Sequence, residues 1–554
     1  MVFHYTYTIF AHVNVTLKKN HTMKRVFTAS LAIILIALPA FAQREATLTI
    51  HTSQGQQVIN RNIYGQFAEH LGTCIYGGLW VGEDSPIPNT RGYRDDVVGA
   101  LKELRIPVLR WPGGCFADDY HWEDGIGPRS ERPKKVNSTW GGTVEDNSFG
   151  THEFLNLCEL LECEPYVSMN IGSGTVRETA DWVEYMTVDN GPQAERRARN
   201  GRSAPWKVKF IGIGNEAWGC GGNMTPEYYS DEYRRYATYC HDFSGNHLFK
   251  IASGASDYDY AWTETMMKNV GNRANGLSLH YYTVLGWSGS KGKATRFSDE
   301  DYYWCLGKCL GIEPVIQRHI GIMDRYDPQK RIGLMVDEWG TWWDEEEGTI
   351  PGHLFQQNTM RDAFVAALSL NVFHKYTDRI QMTNIAQIAN VLQSMILTKG
   401  EKMVLTPTYY VFKMYVPHQD ATFLPFDLTC DQMDVRNERF TPGRNSDEEP
   451  FRHLPMLSAT ASRDSDGLIH ISLANVDLEK KQTVTISLDD VKAKSVTGTI
   501  LTSDNIADHN TFEKPSKVKT ASFSGAKIDK KNKSELTVTL PAKSIVTLEV
   551  KAAK

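Results

Sequence analysis

The chain has 554 residues, 41% hydrophobic and 23% charged, which excludes a disordered protein and leaves room for a barrel-sized core plus one further domain. A formal net charge of −6 argues against nucleic acid as a principal partner. Nine cysteines match no zinc-ligand spacing, and their odd number leaves at least one thiol unpaired.

At the start of the chain, Lys24-Arg25 precede the apolar stretch Leu31 to Phe41, and Ala40-Phe41-Ala42 forms a small-x-small cleavage site. Met23 stands directly before this pattern, so residues 1–22 read as an upstream extension and 23–42 as a signal peptide cleaved after Ala42. The apolar stretch falls short of the about 20 residues that span a bilayer, and no Cys follows the cleavage site to carry a lipid. The expectation is an exported protein, periplasmic or secreted, with no membrane anchor.

Residues 43–61 contain an alternating strand, Ala46–His51, expected to join a sandwich formed later in the chain. From residue 62 to 403, short apolar strands alternate with amphipathic, helix-like stretches, the pattern of βα units. The predicted strands are Ile63–His70, Pro107–Gly113, Pro165–Ile171, Phe210–Glu216, Ile251–Ala255, Leu277–Tyr282, Ile332–Trp339 and Gln381–Gln387. Eight strands predict a (β/α)8 TIM barrel, with polar residues at nearly every strand's C-terminal end. Between Asn190 and Pro205, the arginines Arg196, Arg197, Arg199 and Arg202 read as the solvated face of a loop. Residues 404–554 change character. Segments such as Leu468–Ala474, Gln482–Leu488, Ser495–Leu501 and Glu535–Leu540 alternate at period two, which predicts an all-β, jelly-roll-like C-terminal sandwich.

Two of the barrel strands end in carboxylates. Ile211-Gly212-Ile213-Gly214 delivers Asn215-Glu216, and Leu334-Met335-Val336-Asp337 delivers Glu338-Trp339. A pair of carboxylates facing each other across a barrel mouth is what acid/base hydrolysis of a glycosidic bond requires. About 5 Å between them gives retention through a covalent intermediate, and about 6.5–9.5 Å gives inversion. His280 and Tyr282 end the sixth strand, where a core role and a sugar contact remain equal readings. The same holds for the aromatic runs Trp287, Tyr302-Tyr303-Trp304 and Trp342-Trp343. No metal-ligand cluster and no cofactor motif is found.

The motifs Phe67-Ala68-Glu69-His70-Leu71-Gly72, Leu109-Arg110-Trp111-Pro112-Gly113-Gly114, Gly212-Ile213-Gly214-Asn215-Glu216, Asp337-Glu338-Trp339 and Asn384-Ile385-Ala386-Gln387 together resemble glycoside hydrolase family 51. Its members are mainly retaining α-L-arabinofuranosidases built on a clan A barrel followed by a β-sandwich. The resemblance implies Glu216 as acid/base and Glu338 as nucleophile, with Glu69, Asn215 and Gln387 binding sugar hydroxyls. It further implies that Arg110 orients the nucleophile, that His280 and Tyr282 lie near both glutamates, and that Trp140 supplies an aromatic wall. Cys115 departs from the pattern: many members carry a sugar-touching Asn there, and a thiol is a weak hydrogen-bond partner. The implied substrates are arabinose-containing oligo- or polysaccharides of the plant cell wall, arabinan or arabinoxylan, and a homo-oligomer is the implied assembly. The rival readings are another retaining glycosidase of the clan, such as an endoglucanase, and a non-catalytic sugar-binding protein of the envelope.

Overall fold

The computed structural model describes residues 44–437 and 451–553, so the expected signal peptide lies outside the described residues. Eight parallel strands close into a barrel: β1 (Gly65–Phe67), β2 (Val108–Trp111), β3 (Glu164–Met169), β4 (Phe210–Ile213), β5 (Phe249–Ser256), β6 (Gly276–Thr283), β7 (Gly333–Thr341) and β8 (Ile380–Ala386). Each strand pairs with its neighbours in sequence, and β8 pairs with β1 to complete the ring. Every predicted barrel strand overlaps an observed one. The first is shorter than predicted because the Asn60 side chain accepts from the Asn62 N–H and caps a 3-10 turn over Arg61–Tyr64.

The barrel is filled rather than hollow. Val108, Tyr166, Phe210, Ile251, Met335 and Met382, from six different strands, form an apolar layer toward the strands' amino-terminal ends. Above it the interior turns polar: the Tyr166 hydroxyl, rising from this layer, donates to Asp337 Oδ2 at 2.7 Å. The apolar floor forces water and charge to the opposite, carboxyl end.

The predicted arginine loop is instead a short helix, Pro192–Arg199, begun by Pro192 at its first position. In the helix, Arg196 pairs with Glu123, buried Arg197 donates to the Tyr185 and Ser203 carbonyls and Arg199 is exposed, while Arg202 just beyond the helix pairs with Glu159. Sequence patterning missed it because the helix has hardly any apolar face.

After β8 come the hairpin Ile396–Lys399/Lys402–Leu405 and the helix Pro407–Tyr415, which packs on the helix Met360–Lys375. Two sheets follow. The five-stranded sheet runs Phe426–Thr429, Arg44–Ile50, Gln482–Leu488, Glu535–Leu540, Ala526–Ile528, so the first strand of the described chain lies inside it, parallel to Gln482–Leu488. The six-stranded sheet is built around Leu457–Arg463, Ile469–Asn475, Ser544–Ala552 and Ala493–Thr502. Alternate residues of both sheets, among them Leu48, Ile471, Leu473, Ile486 and Leu548, make a separate core. Leu473 is fully buried there. Leu473→Ala should lower the unfolding free energy of this sandwich by about 2–5 kcal/mol, read by calorimetry as an earlier unfolding transition.

The aromatic run Tyr302-Tyr303-Trp304 belongs to the contact between the two domains. Tyr302 donates to the Val476 carbonyl at 3.0 Å and the Leu478 N–H donates to the Tyr303 hydroxyl at 3.0 Å, whereas Trp304 stays within the barrel half and donates to the Leu285 carbonyl at 3.2 Å.

Candidate active site

The backbone leaves β4 through Gly214 at φ +87° and Glu216 at φ +39°, a turn that lifts the Glu216 carboxyl to the barrel mouth. Strands β6 and β7 are in register with His280 opposite Glu338. Successive strand residues should point to opposite faces, yet Asp337 and Glu338 both reach Arg110 and His280. Register shifts between Ser278 and His280, and between Val336 and Trp339, turn both carboxylates inward.

Glu338 is held from three sides. Arg110 Nη1 donates to its Oε1 at 2.9 Å, the Tyr282 hydroxyl donates to Oε2 at 3.0 Å, and His280 Nδ1 lies 3.5 Å from Oε2. Arg110 also donates from Nη2 to Asn215 Oδ1 at 2.6 Å and packs over the Phe67 ring at 4.5 Å, so its planar fork fixes both strand-end motifs. Glu216 Oε1 lies 2.8 Å from His280 Nδ1, and His280 Nε2 is 3.2 Å from Asp337 Oδ1.

These groups tune one another. Burial opposes charge on His280, but Glu338, Asp337 and Glu216 around it push the imidazole up to about 10, so it is an imidazolium at neutral pH. Burial alone would raise Asp337 as well; Arg110 and His280 hold it below the usual carboxylate range. For Glu338, burial and the nearby Glu216 outweigh His280 and Arg110, and its affinity for a proton rises.

Glu69 occupies the far wall. Its Oε1 accepts from the Phe116 N–H and from Trp140 Nε1, each at 3.0 Å, and its Oε2 accepts from Gln387 Nε2 at 3.0 Å. Burial, and then the charge on Glu338, push this carboxyl up to about 7. Trp140 sits at the tip of the hairpin Lys135–Val136/Val144–Glu145, which Asn137 anchors to the His70 carbonyl at 2.6 Å. Gln387 Oε1 is buried with no protein partner.

Gly113 and Gly114 are glycines for reasons of space. A Cβ on Gly113 would lie 2.8 Å from Glu69 Cγ, and one on Gly114 would lie 2.6 Å from Glu338 Oε1. Both carboxylates are seated on bare backbone. Cys115, next in the chain, forms a disulfide with Cys220, a pairing that the sequence leaves open. The other cysteines are free thiols, and Cys305 and Cys309 are both buried.

The structure thus gathers Glu69, Arg110, Cys115, Trp140, Asn215, Glu216, His280, Tyr282, Glu338 and Gln387 at one end of the barrel. Sequence reading passed over Asp337, Tyr166, Cys220 and Asp118. Asp337 and Tyr166 carried no signal of their own, since strand alternation points one of two adjacent acidic residues away from the site. Of the ambiguous tryptophans, Trp342 packs edge-on against Tyr282 with centroids 5.1 Å apart, and half-exposed Trp287 packs on Trp342 at 5.8 Å. Trp343 is buried and stacks on Arg361.

A parallel eight-stranded barrel with two facing glutamates at its carboxyl end is the architecture of a clan A glycoside hydrolase. Comparison with known proteins narrows the class. The chain matches the α-L-arabinofuranosidase 1 domain over residues 100–294 and the α-L-arabinofuranosidase C-terminal domain over residues 337–544. It is 64% identical over 529 residues to an intracellular exo-α-L-arabinofuranosidase of Bacteroides ovatus, covering 95% of this chain and 100% of that protein. The crystal structure of a GH51 arabinofuranosidase from Xanthomonas axonopodis pv. citri superimposes with a TM-score of 0.86 at 46% identity, covering 92% of this chain and all of that one. An arabinose complex of the Thermotoga maritima α-L-arabinofuranosidase gives a TM-score of 0.77 at 28% identity, with coverage of 92% and 100%. The chain belongs to glycoside hydrolase family 51, the α-L-arabinofuranosidases.

The same comparison corrects one expectation. The Bacteroides relative is described as intracellular, which overturns the reading of residues 23–42 as a signal peptide and of the protein as periplasmic or secreted. Among the described residues, no helix is long and apolar enough to cross a membrane.

Proposed function

We propose that the chain is an exo-acting, retaining α-L-arabinofuranosidase that releases terminal arabinofuranose from arabinan, arabinoxylan or their oligosaccharides by double displacement. The observation that carries this reading is a separation: one carboxylate oxygen of Glu216 lies within 4.8 Å of one of Glu338. So close an approach supports the about 5–5.5 Å carboxyl spacing of retaining glycosidases over the about 6.5–9.5 Å of inverting ones.

In the first step Glu338 attacks the anomeric carbon while Glu216 gives its proton to the departing glycosidic oxygen. The product is a covalent glycosyl-enzyme and a free aglycone. In the second step Glu216 takes a proton from water, which attacks the anomeric carbon and releases Glu338. Arg110 and Tyr282 favour the charged carboxylate at Glu338, as a nucleophile needs. Glu69, Gln387 and Asn215 line a buried wall suited to gripping one furanose ring, which favours removal of single terminal residues.

The test is proton NMR of the first product formed from an aryl α-L-arabinofuranoside. Retention predicts that α-L-arabinofuranose appears before mutarotation; initial release of the β-anomer would sink the mechanism. Tyr282→Phe removes a donor that favours the Glu338 carboxylate. It should lower kcat/KM by about 10- to 100-fold and move the acid limb of its pH profile upward, because protonated Glu338 then persists to higher pH.

A further inference from the structure

The turn that carries Glu216 is glycine-rich, closes on itself through the Gly219 and Gly221 N–H groups on the Glu216 carbonyl at 2.7 and 3.1 Å, and is fastened to its neighbours at two sides. After Glu216 comes Ala217-Trp218-Gly219-Cys220-Gly221-Gly222, with three glycines in six residues. On the β5 side this turn is tied by the Ala217 N–H to Ser253 Oγ at 3.2 Å and by Trp218 Nε1 to the Gly254 carbonyl at 3.1 Å. On the β2 side the tie is covalent: Cys220 is bonded to Cys115, 105 residues earlier, with Cα atoms 5.4 Å apart.

Cys115 stands on firm ground. It opens the 3-10 turn Cys115–Asp119, and Asp118 in that turn accepts from the Ile171 N–H at 3.1 Å and the Gly172 N–H at 3.0 Å. The Asp118 carbonyl also accepts from the Ser173 N–H at 3.0 Å. The end of β3 therefore holds the turn that holds Cys115. Gly221 folds back so tightly over Asn215 that a Cβ there would lie 1.8 Å from the Asn215 carbonyl and 3.0 Å from Asp118 Oδ2.

The bond also forms one wall of the Glu216 carboxyl. Cys220 Sγ lies 3.5 Å and Cys115 Sγ 3.9 Å from Glu216 Oε2, while His280 occupies the Oε1 side. Between an imidazole on one oxygen and a disulfide on the other, the carboxyl has little freedom to swing. Cys220 is exposed and Cys115 half-buried, so a small reductant reaches the bond from the mouth of the site.

We propose that the Cys115–Cys220 disulfide is a positioning element for the proton donor, and that a dithiol releases it. The inference rests on Glu216 being the acid/base. In the release step the dithiol passes two electrons and two protons to the cysteine sulfurs. The Cys115–Cys220 bond breaks to two thiols as the dithiol closes to its own disulfide. The glycine-rich turn then keeps its β5 anchors but loses its β2 anchor, and the Glu216 carboxyl loses its Oε2 wall.

A misplaced acid has a signature that general destabilisation lacks: only substrates whose leaving group needs a proton suffer. The experiment compares wild-type protein before and after treatment with dithiothreitol, using methyl and 2,4-dinitrophenyl α-L-arabinofuranosides. Reduction should lower kcat/KM for the methyl glycoside by about tenfold or more and change that for the dinitrophenyl glycoside by no more than about twofold. Reoxidation should restore both, and Cys220→Ser should behave like the reduced enzyme. Alkylation of the denatured protein should find the thiols of Cys74, Cys158, Cys163, Cys240, Cys305, Cys309 and Cys430 before reduction, with Cys115 and Cys220 added after it. An unchanged ratio of the two rate constants would overturn the proposal, as would alkylation of Cys115 and Cys220 without reductant. Failure of the oxidised enzyme to hydrolyse either glycoside would instead overturn the assigned activity.

Discussion

Glu338→Gly should lower kcat/KM on aryl α-L-arabinofuranosides by at least about 10⁴-fold, because it deletes the proposed nucleophile of the first displacement. Its consequences reach further than lost attack. Arg110 and His280, both buried and cationic, lose the carboxylate they share. They keep Asp337, so the site stays partly compensated and the barrel should still fold. The Glu338 side chain leaves a cavity above Gly114, where a small anion fits against Arg110. Added azide should therefore occupy it, attack the anomeric carbon from the same face, and give β-L-arabinofuranosyl azide. Product analysis by NMR checks this; recovery of the α-azide would mean that Glu338 is not the nucleophile.

Glu216→Ala should behave in the complementary way. With no proton donor, kcat/KM should fall by about 10²–10⁴-fold on poor leaving groups and far less on dinitrophenyl glycosides. With no base to activate water, the glycosyl-enzyme on Glu338 should accumulate and show a burst of released phenol. Azide needs no deprotonation, so it should restore turnover and deliver the α-anomer. The opposite anomers from the two variants discriminate the roles, which a simple loss of activity would not. A similar rate loss on both leaving groups, without a burst, would remove Glu216 from the proton-donor role.

Much of this site could be read from the chain because a barrel converts sequence into geometry in a regular way. A polar residue that ends an apolar strand must emerge at the same rim as every other, so Glu69, Arg110, Glu216, Glu338 and Gln387 were bound to meet once eight strands were recognised. What escaped depends on contacts that no local pattern encodes. Cys115 and Cys220 lie far apart in sequence, and spacing carries no information about such a pairing. Asp337 faces inward only because the register of β7 slips at that point. Asp118 lies in a 3-10 turn past the end of β2, where neither helical nor strand periodicity applies. The arginine-rich helix at Pro192–Arg199 reads as a loop in the sequence because its polar residues surround it on nearly every side.

The strand Arg44–Ile50 carries a consequence for biogenesis. It lies between Phe426–Thr429 and Gln482–Leu488, and its Ala46, Leu48 and Ile50 belong to the sandwich core. Translation makes this strand first and its partners some 400 residues later, about the length of the whole barrel. Vectorial synthesis at about 5–20 residues per second leaves it waiting for some 20 seconds or longer with an apolar face and two unpaired edges. The barrel must close in its presence without recruiting it. The alternating Glu45, Thr47 and Thr49 on its other face act against premature pairing during that interval, as polar side chains on an unpaired strand do. The nascent chain is thus most exposed to misassembly in the window between completion of the barrel and emergence of Gln482–Leu488.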